Sequence, residues 1–267
     1  MDLQLTGKRA IVTGGSRGIG KACARELARE GCDVVLFARS METLGATAAE
    51  LAAETGRTIT PIVCDTSSDE SVKGAIRDAV AALGGGVDIL VNCAATASGQ
   101  AAPPTLAEID DDKFWADMNV KVMGYLRTAR ELAPTMIAQG WGRIINVSGL
   151  GARQAGSILT SMRNVSVAAL TKNLADQLGP HGINVTVVHP GLTRTEATPG
   201  VIKWRSETTG RPEAEIEKQM AEANVVRRFI DAEDIAAVVT FLASPRSVAI
   251  TGDAVAAGGG APRAIYY

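Results

Sequence analysis

The sequence predicts one doubly wound α/β domain, with a seven-stranded parallel sheet and helices on both faces. Three observations predict it. Short, β-branched, nearly all-apolar runs alternate with longer helical stretches along the chain. The first of these runs leads straight into a glycine-rich turn that opens a helix. A length of 267 residues, 46% apolar and 21% charged, suits a single large core.

The predicted strands, in order, are Ala10–Thr13, Val34–Phe37, Ile59–Cys64, Asp88–Asn92, Arg143–Val147, Asn184–His189 and Asp253–Ala256. Most are nearly all apolar rather than alternating, as strands covered on both faces should be. The predicted helices are Ile19–Glu30, Glu42–Glu54, Asp69–Leu83, Asp111–Gln139, Met162–Leu178 and Asp231–Ala243. Strand and helix in strict alternation imply parallel strands joined by right-handed crossovers. One segment breaks the rhythm. Residues 196–229 are polar, carry Trp204 and a charged helical stretch at Glu213–Glu222, and are too long for a plain turn. They follow a strand's carboxyl end, where open α/β sheets bind ligands, so a substrate lid is the functional reading and a surface insertion the bland one.

Composition narrows the functions. A net charge of −2 offers no basic face for nucleic acid or an anionic membrane. The longest apolar runs, such as Val34–Ala38 and Ile235–Thr240, fall far short of the roughly 18 residues a membrane span needs. Met1-Asp2 opens without a secretory signal pattern, which leads to the expectation of a cytoplasmic protein. Cys23, Cys32, Cys64 and Cys93 form no Cys-x-x-Cys pair, and the two histidines, His181 and His189, stand apart. A metal site is therefore not expected, and the thiols read as reduced.

Thr13-Gly14-Gly15-Ser16-Arg17-Gly18-Ile19-Gly20 lies between the first strand and the first helix. Glycines permit the tight turn and let backbone approach a pyrophosphate, while the helix amino terminus supplies free N–H groups and partial positive charge. The second strand ends Leu36-Phe37-Ala38-Arg39-Ser40, without the acid that would hold a ribose 2′-hydroxyl. Arg39 stands there, and Arg17 lies in the turn. Two guanidiniums suit a 2′-phosphate, so NADP(H) is expected over NAD(H).

The spacing Thr-Gly-x-x-x-Gly-x-Gly resembles the short-chain dehydrogenase/reductase family, and its 3-oxoacyl-reductase-like members in particular. Cys64-Asp65-Thr66, the Asp88–Ala95 segment with Asn92 and Ala94, Asn119, Arg143–Ser148, Pro190–Thr195 and Ile250–Asp253 carry the likeness along nearly the whole chain. The resemblance implies a Rossmann fold and a cofactor site at Gly14, Ser16, Arg17, Gly18, Ile19, Gly20, Arg39, Asp65, Thr66, Asn92, Ala94, Pro190, Gly191, Thr193 and Thr195. It implies a structural and catalytic asparagine at Asn119, while Ser148, one position before the place of the family's serine, is a candidate catalytic substitute. It also implies a homo-oligomer, dimer or tetramer, paired through the two long helices at Asp111–Gln139 and Met162–Leu178.

The same likeness exposes a departure. The family's Ser, Tyr and Lys fall on Gly149, Met162 and Ser166 when Asn146-Val147 and Ala168–Lys172 fix the register. The chain's only tyrosines are Tyr125, Tyr266 and Tyr267. In the family the tyrosine gives a proton to the developing alkoxide, the serine hydrogen-bonds the same oxygen, and the lysine holds the nicotinamide ribose. Losing general acid catalysis costs on the order of 10²–10⁴ in rate, and losing one oxyanion donor about 10²–10³. Ser157, Thr160, Ser161 and Arg163 cluster near the lost groups, and Tyr266 and Tyr267 are candidates to reach a neighbouring subunit. Three functions follow: an NADP(H) oxidoreductase with altered chemistry, a catalytically inactive NADP(H)-binding sensor or scaffold subunit, and, ranked last, a lyase or dehalogenase.

Overall fold

The computed structural model describes residues 1–96 and 99–265; Tyr266 and Tyr267 lie outside the described residues. Seven parallel strands form the main sheet. They are β1 (Arg9–Thr13), β2 (Asp33–Ala38), β3 (Ile59–Val63), β4 (Ile89–Asn92), β5 (Gly142–Val147), β6 (Ile183–Pro190) and, last in the chain, β9 (Ala254–Ala257). Their spatial order is β3-β2-β1-β4-β5-β6-β9. The order reverses between β1 and β4, and the carboxyl ends part there to leave a crevice. The predicted sheet is the observed one.

The apolar strands bury both faces. Leu27 of α1 (Gly18–Arg29), Leu44 and Leu51 of α2 (Met41–Thr55), and Ile235 and Val239 of α9 (Ala232–Ala243) close one side. Ile76 of α3 (Asp69–Ala82), Leu132 and Met136 of α5 (Gly124–Gln139), and Ala175 of α6 (Ile158–Leu178) close the other.

Three elements differ from the sequence reading. The long helix over 111–139 is α4 (Asp111–Met118), a π-helical turn (Asn119–Met123), and then α5. Hydrogen bonds to the segment after β3 hold that turn. Asn119 Nδ2 donates to Ser67 O at 3.1 Å, and Thr66 Oγ1 donates to Val120 O at 3.0 Å. A Cβ on Gly124 would come within 2.9 Å of Thr66 Cβ, so glycine lets the helix sit this close. Helix α6 begins four residues early at Ile158, where Ser157 Oγ caps it by accepting from Thr160 N–H at 3.4 Å.

The third difference is the 196–229 segment. It folds into α7 (Thr198–Thr209) and α8 (Glu213–Ala221) around its own core of Val201, Ile202, Ile216, Met220 and Phe229. A two-stranded ladder, β7 (Thr193–Arg194) with β8 (Ile230–Asp231), ties its two ends together. Among the described residues no helix is long and apolar enough to cross a membrane.

Candidate active site

The glycine turn is built by exclusion. Gly14 has φ of 66°, and a Cβ there would meet Ala94 backbone at 3.0 Å. A Cβ on Gly20 would lie 2.3 Å from Gly14 O, an impossible contact. Thr13 Oγ1 accepts from Cys93 N–H at 3.0 Å and from Ala94 N–H at 3.1 Å, locking the turn onto the end of β4. Ser16 O accepts from Thr47 Oγ1 of α2. At the amino terminus of α1, Gly18 N–H donates to Glu196 Oε2 at 2.9 Å. That helix end therefore already accepts a negative oxygen, as a pyrophosphate site must. Sequence reasoning passed over Glu196, because a carboxylate inside a polar insertion carries no pattern of its own.

Arg17 and Arg39 are exposed at the edge of the turn. Neither forms an ion pair with a described residue. Asp65 accepts from Ser67 N–H at 2.9 Å and from Ser67 Oγ at 2.7 Å, and those bonds hold its carboxyl below the usual range. Thr66 is spent on the π turn.

A cleft of about 540 Å³ opens beside this turn. Ile19, Ser148, Gly149, Pro190, Gly191, Thr193 and Thr195 all line it. The structure thus brings the glycine turn, the end of β5 and the loop after β6 to one place. Met220, Ala223 and Asn224 of the 196–229 segment form its far wall.

Other expected residues lie elsewhere. Asn119 bonds to Ser67 O and does not line the cleft. Asn92 is fully buried; Nδ2 donates to Asn146 Oδ1 at 2.9 Å, and Oδ1 accepts from Thr128 Oγ1 at 2.8 Å. Its side chain braces the sheet and leaves only backbone for a ligand. Met162 is 47% exposed and faces away from the cleft. Ser166 spends its hydroxyl on Met162 O at 2.8 Å. The α6 residues that do line the cleft are Thr160, Arg163 and Asn164. The sequence register therefore placed the cleft-facing pair two residues too far along; in the folded helix the spaced pair is Thr160 and Asn164. Tyr125 is buried, and its hydroxyl donates to Val147 O at 2.9 Å.

Under the cleft lies a polar network absent from the sequence reading. Lys121, on the π turn, is 4% exposed. Its Nζ donates to Ser148 O at 3.0 Å and to Asn164 Oδ1 at 3.1 Å. Burial, reinforced by Arg163, lowers Lys121 to about 7. Arg163 Nη1 pairs with Asp117 Oδ1 at 2.5 Å, and its buried Nε has no partner among the described residues. Ser148 Oγ lies 3.1 Å from Asn164 O and 3.2 Å from Asn164 Oδ1, donating to this pair of acceptors. Lys121 escaped notice because a lysine on a long amphipathic helix ordinarily faces solvent; only the π turn rotates it inward.

Beside the network, His189 is 1% exposed and its Nδ1 has no partner among the described residues. Burial, with Arg153 and Lys121 nearby, lowers it to about 4. The unfolded chain takes up this proton below about 6.5, whereas the folded chain stays neutral until about 4. Stability from this group is thus complete above pH 6.5 and is lost as pH falls toward 4, at roughly 1.4 kcal/mol per pH unit. Urea unfolding of wild type and His189→Phe from pH 7 to pH 4.5 is expected to show a shallower loss in the variant.

A doubly wound sheet with a glycine turn at its switch point defines a Rossmann-type domain. Residues 14–261 match the family model described as enoyl-(acyl carrier protein) reductase. Short-chain reductase protein NovJ of Streptomyces niveus is 35% identical, over 95% of this chain and 93% of its own. L-sorbose reductase from Gluconobacter frateurii, solved with NADPH and L-sorbose, superposes with a TM-score of 0.92 at 30% identity, covering 99% of this chain and 100% of its own. An NAD⁺-bound xylitol dehydrogenase superposes at 0.87 with 26% identity, over 96% and 100% of the two chains. This chain belongs to the short-chain dehydrogenase/reductase family.

Proposed function

We propose that this chain is an NADP(H)-dependent oxidoreductase whose reduction of a carbonyl or conjugated enone proceeds without a tyrosine acid. One observation carries the atypical centre: among the described residues, no tyrosine and no lysine lines the cleft. The glycine cradle fits a dinucleotide, since added Cβ atoms at Gly14 and Gly20 would fill it. NADPH, when bound, supplies hydride to an electron-poor carbon. The residues holding it would be Gly14, Ser16, Gly18, Ile19 and Gly20 at the pyrophosphate, Arg17 and Arg39 at the 2′-phosphate, and Asp65 and Ala94 toward adenosine. Pro190, Gly191, Thr193 and Thr195 would enclose the other end. Solved relatives hold either nucleotide, so the choice of NADP(H) rests on the two arginines. The 196–229 segment is proposed as the lid over the substrate, because Met220, Ala223 and Asn224 wall the cleft.

The test is a calorimetric titration with NADPH and NADH, followed by an NADPH-oxidation assay against ketones and enones. Tight NADPH binding with enone turnover above ketone turnover is expected. Intact binding without any turnover would instead support the sensor or scaffold reading.

Two further results are expected. Glu196 occupies the N–H that a pyrophosphate would use, so Glu196→Gln removes a competing charge from a helix amino terminus. Such charges contribute about 0.3–1 kcal/mol, so NADPH should bind roughly two- to fivefold tighter, read by calorimetry. An oligomer built on α6 is the expected assembly, supported by Ile158, Met162 and Val165, which are 45%, 47% and 50% exposed along that helix. Light scattering of the pure protein is the check.

A further inference from the structure

Asn164 is 3% exposed yet lines the cleft. Its Oδ1 faces the Lys121 ammonium at 3.1 Å and the Ser148 hydroxyl at 3.2 Å. An ammonium has only donors to offer. The amide is therefore fixed with oxygen inward and Nδ2 outward. Nδ2 donates to no protein group among the described residues.

Two glycines face that nitrogen. A Cβ on Gly149 would stand 3.1 Å from Nδ2, and a Cβ on Gly151 would also stand 3.1 Å from it. Gly149 has φ of 171°, extended backbone that any residue adopts. Backbone conformation does not ask for glycine at 149; space in front of the amide does. An oriented, unspent donor on a buried residue at the cleft wall, with room kept before it, is a site for an oxygen.

The geometry points to Asn164 as the substrate-oxygen donor of the cleft. Its Nδ2 binds the oxygen of a carbonyl or enone as negative charge builds there, and Lys121 is the positioning residue that holds the amide. The inference rests on the reductase reading above and names the substrate class as one that can carry its charge on oxygen. Hydride from the reduced nicotinamide forms a C–H bond, and the carbonyl or conjugated π pair moves to oxygen. The amide keeps its protons, and water supplies the proton that completes the product. An enone suits this arrangement best, because its enolate needs stabilisation on oxygen and no strong acid at once.

The test uses 2,4-dinitrophenol, an anion across the range measured, as an oxyanion probe read by calorimetry. NADPH binding and turnover are measured in parallel. Asn164→Leu removes the donor. Asn164→Asp keeps the acceptor for Lys121 and so guards against misfolding. Both are expected to weaken anion binding at least tenfold and to lower kcat by about 10²–10³, with NADPH affinity within about threefold. Gly149→Ala removes no polar group but crowds Nδ2, and should also weaken the anion.

Lys121→Met tests positioning. Lys121 is faced by Arg163 from α6, Asp117 from α4, Cys93 beyond β4 and His189 at the end of β6. Wild-type anion affinity should fall as pH rises through about 7, where Lys121 loses its proton; the methionine variant should lack that step. Unchanged anion binding in Asn164→Leu overturns the inference, as does a loss confined to NADPH affinity, which would give the amide to the ribose. If wild type shows no turnover while the variants still lose the anion, the oxygen site stands and the reductase reading falls.

Discussion

Gly20→Ala is expected to weaken NADPH binding at least roughly 100-fold, equivalent to about 2.8 kcal/mol. The added methyl would lie 2.3 Å from Gly14 O and 2.8 Å from Gly14 C. Both atoms belong to backbone, so no side-chain rotation relieves the clash. The turn must open by nearly an ångström, and that moves the N–H groups at the start of α1 away from any phosphate they would meet. Each charge-assisted hydrogen bond is worth about 1.5–3 kcal/mol, so misplacing two accounts for the effect. The fold should survive with a lowered melting temperature, because β1 and α1 keep their buried partners Val12, Cys23 and Leu27. Calorimetry against NADPH, with circular dichroism as control, decides the matter. Affinity within threefold of wild type would make the glycine turn a packing device only.

The sheet was legible in the sequence because parallel strands buried on both faces are nearly all apolar. Val34–Phe37 gave that signal without help from tertiary contacts. The glycine turn was legible for a related reason: each glycine answers a local steric demand. The floor of the cleft was not legible. Lys121 and Asn164 meet only because Thr66, Ser67 and Gly124 impose a π turn, and that turn needs contacts from residues over 50 positions away in sequence. One change of helix phase turns a surface lysine into a buried ammonium. The cleft-facing side of α6 was misplaced as well: a shift of two positions exchanges Thr160 and Asn164 for Met162 and Ser166. Helical spacing shows which residues share a face; it does not show which way that face looks.

Removing the two arginines at the adenosine end is the second large effect expected. Arg17 leaves the glycine turn and Arg39 the end of β2, and both are exposed. Most other arginines near α1 are already committed. Arg25 pairs with Glu50 and Glu54, and Arg29 with Glu26 and Glu54. Arg17 and Arg39 flank the turn without an ion pair among the described residues, although, beside the Ser67 hydrogen bonds, the Arg39 charge helps hold the Asp65 carboxyl low. A 2′-phosphate is an anion that can accept from both guanidiniums; a 2′-hydroxyl cannot. Arg39→Ser should weaken NADPH by about 10- to 100-fold, from a loss of roughly 1.5–3 kcal/mol, and leave NADH nearly unchanged. Arg17→Ser should act in the same direction, and the double variant should bind the two nucleotides alike. The effect should shrink as salt rises, since exposed charges are screened within about 10 Å at 0.1 M. Equal weakening of NADPH and NADH by Arg39→Ser would assign the guanidinium to the adenine ring or the pyrophosphate, and would remove the ground for preferring NADP(H).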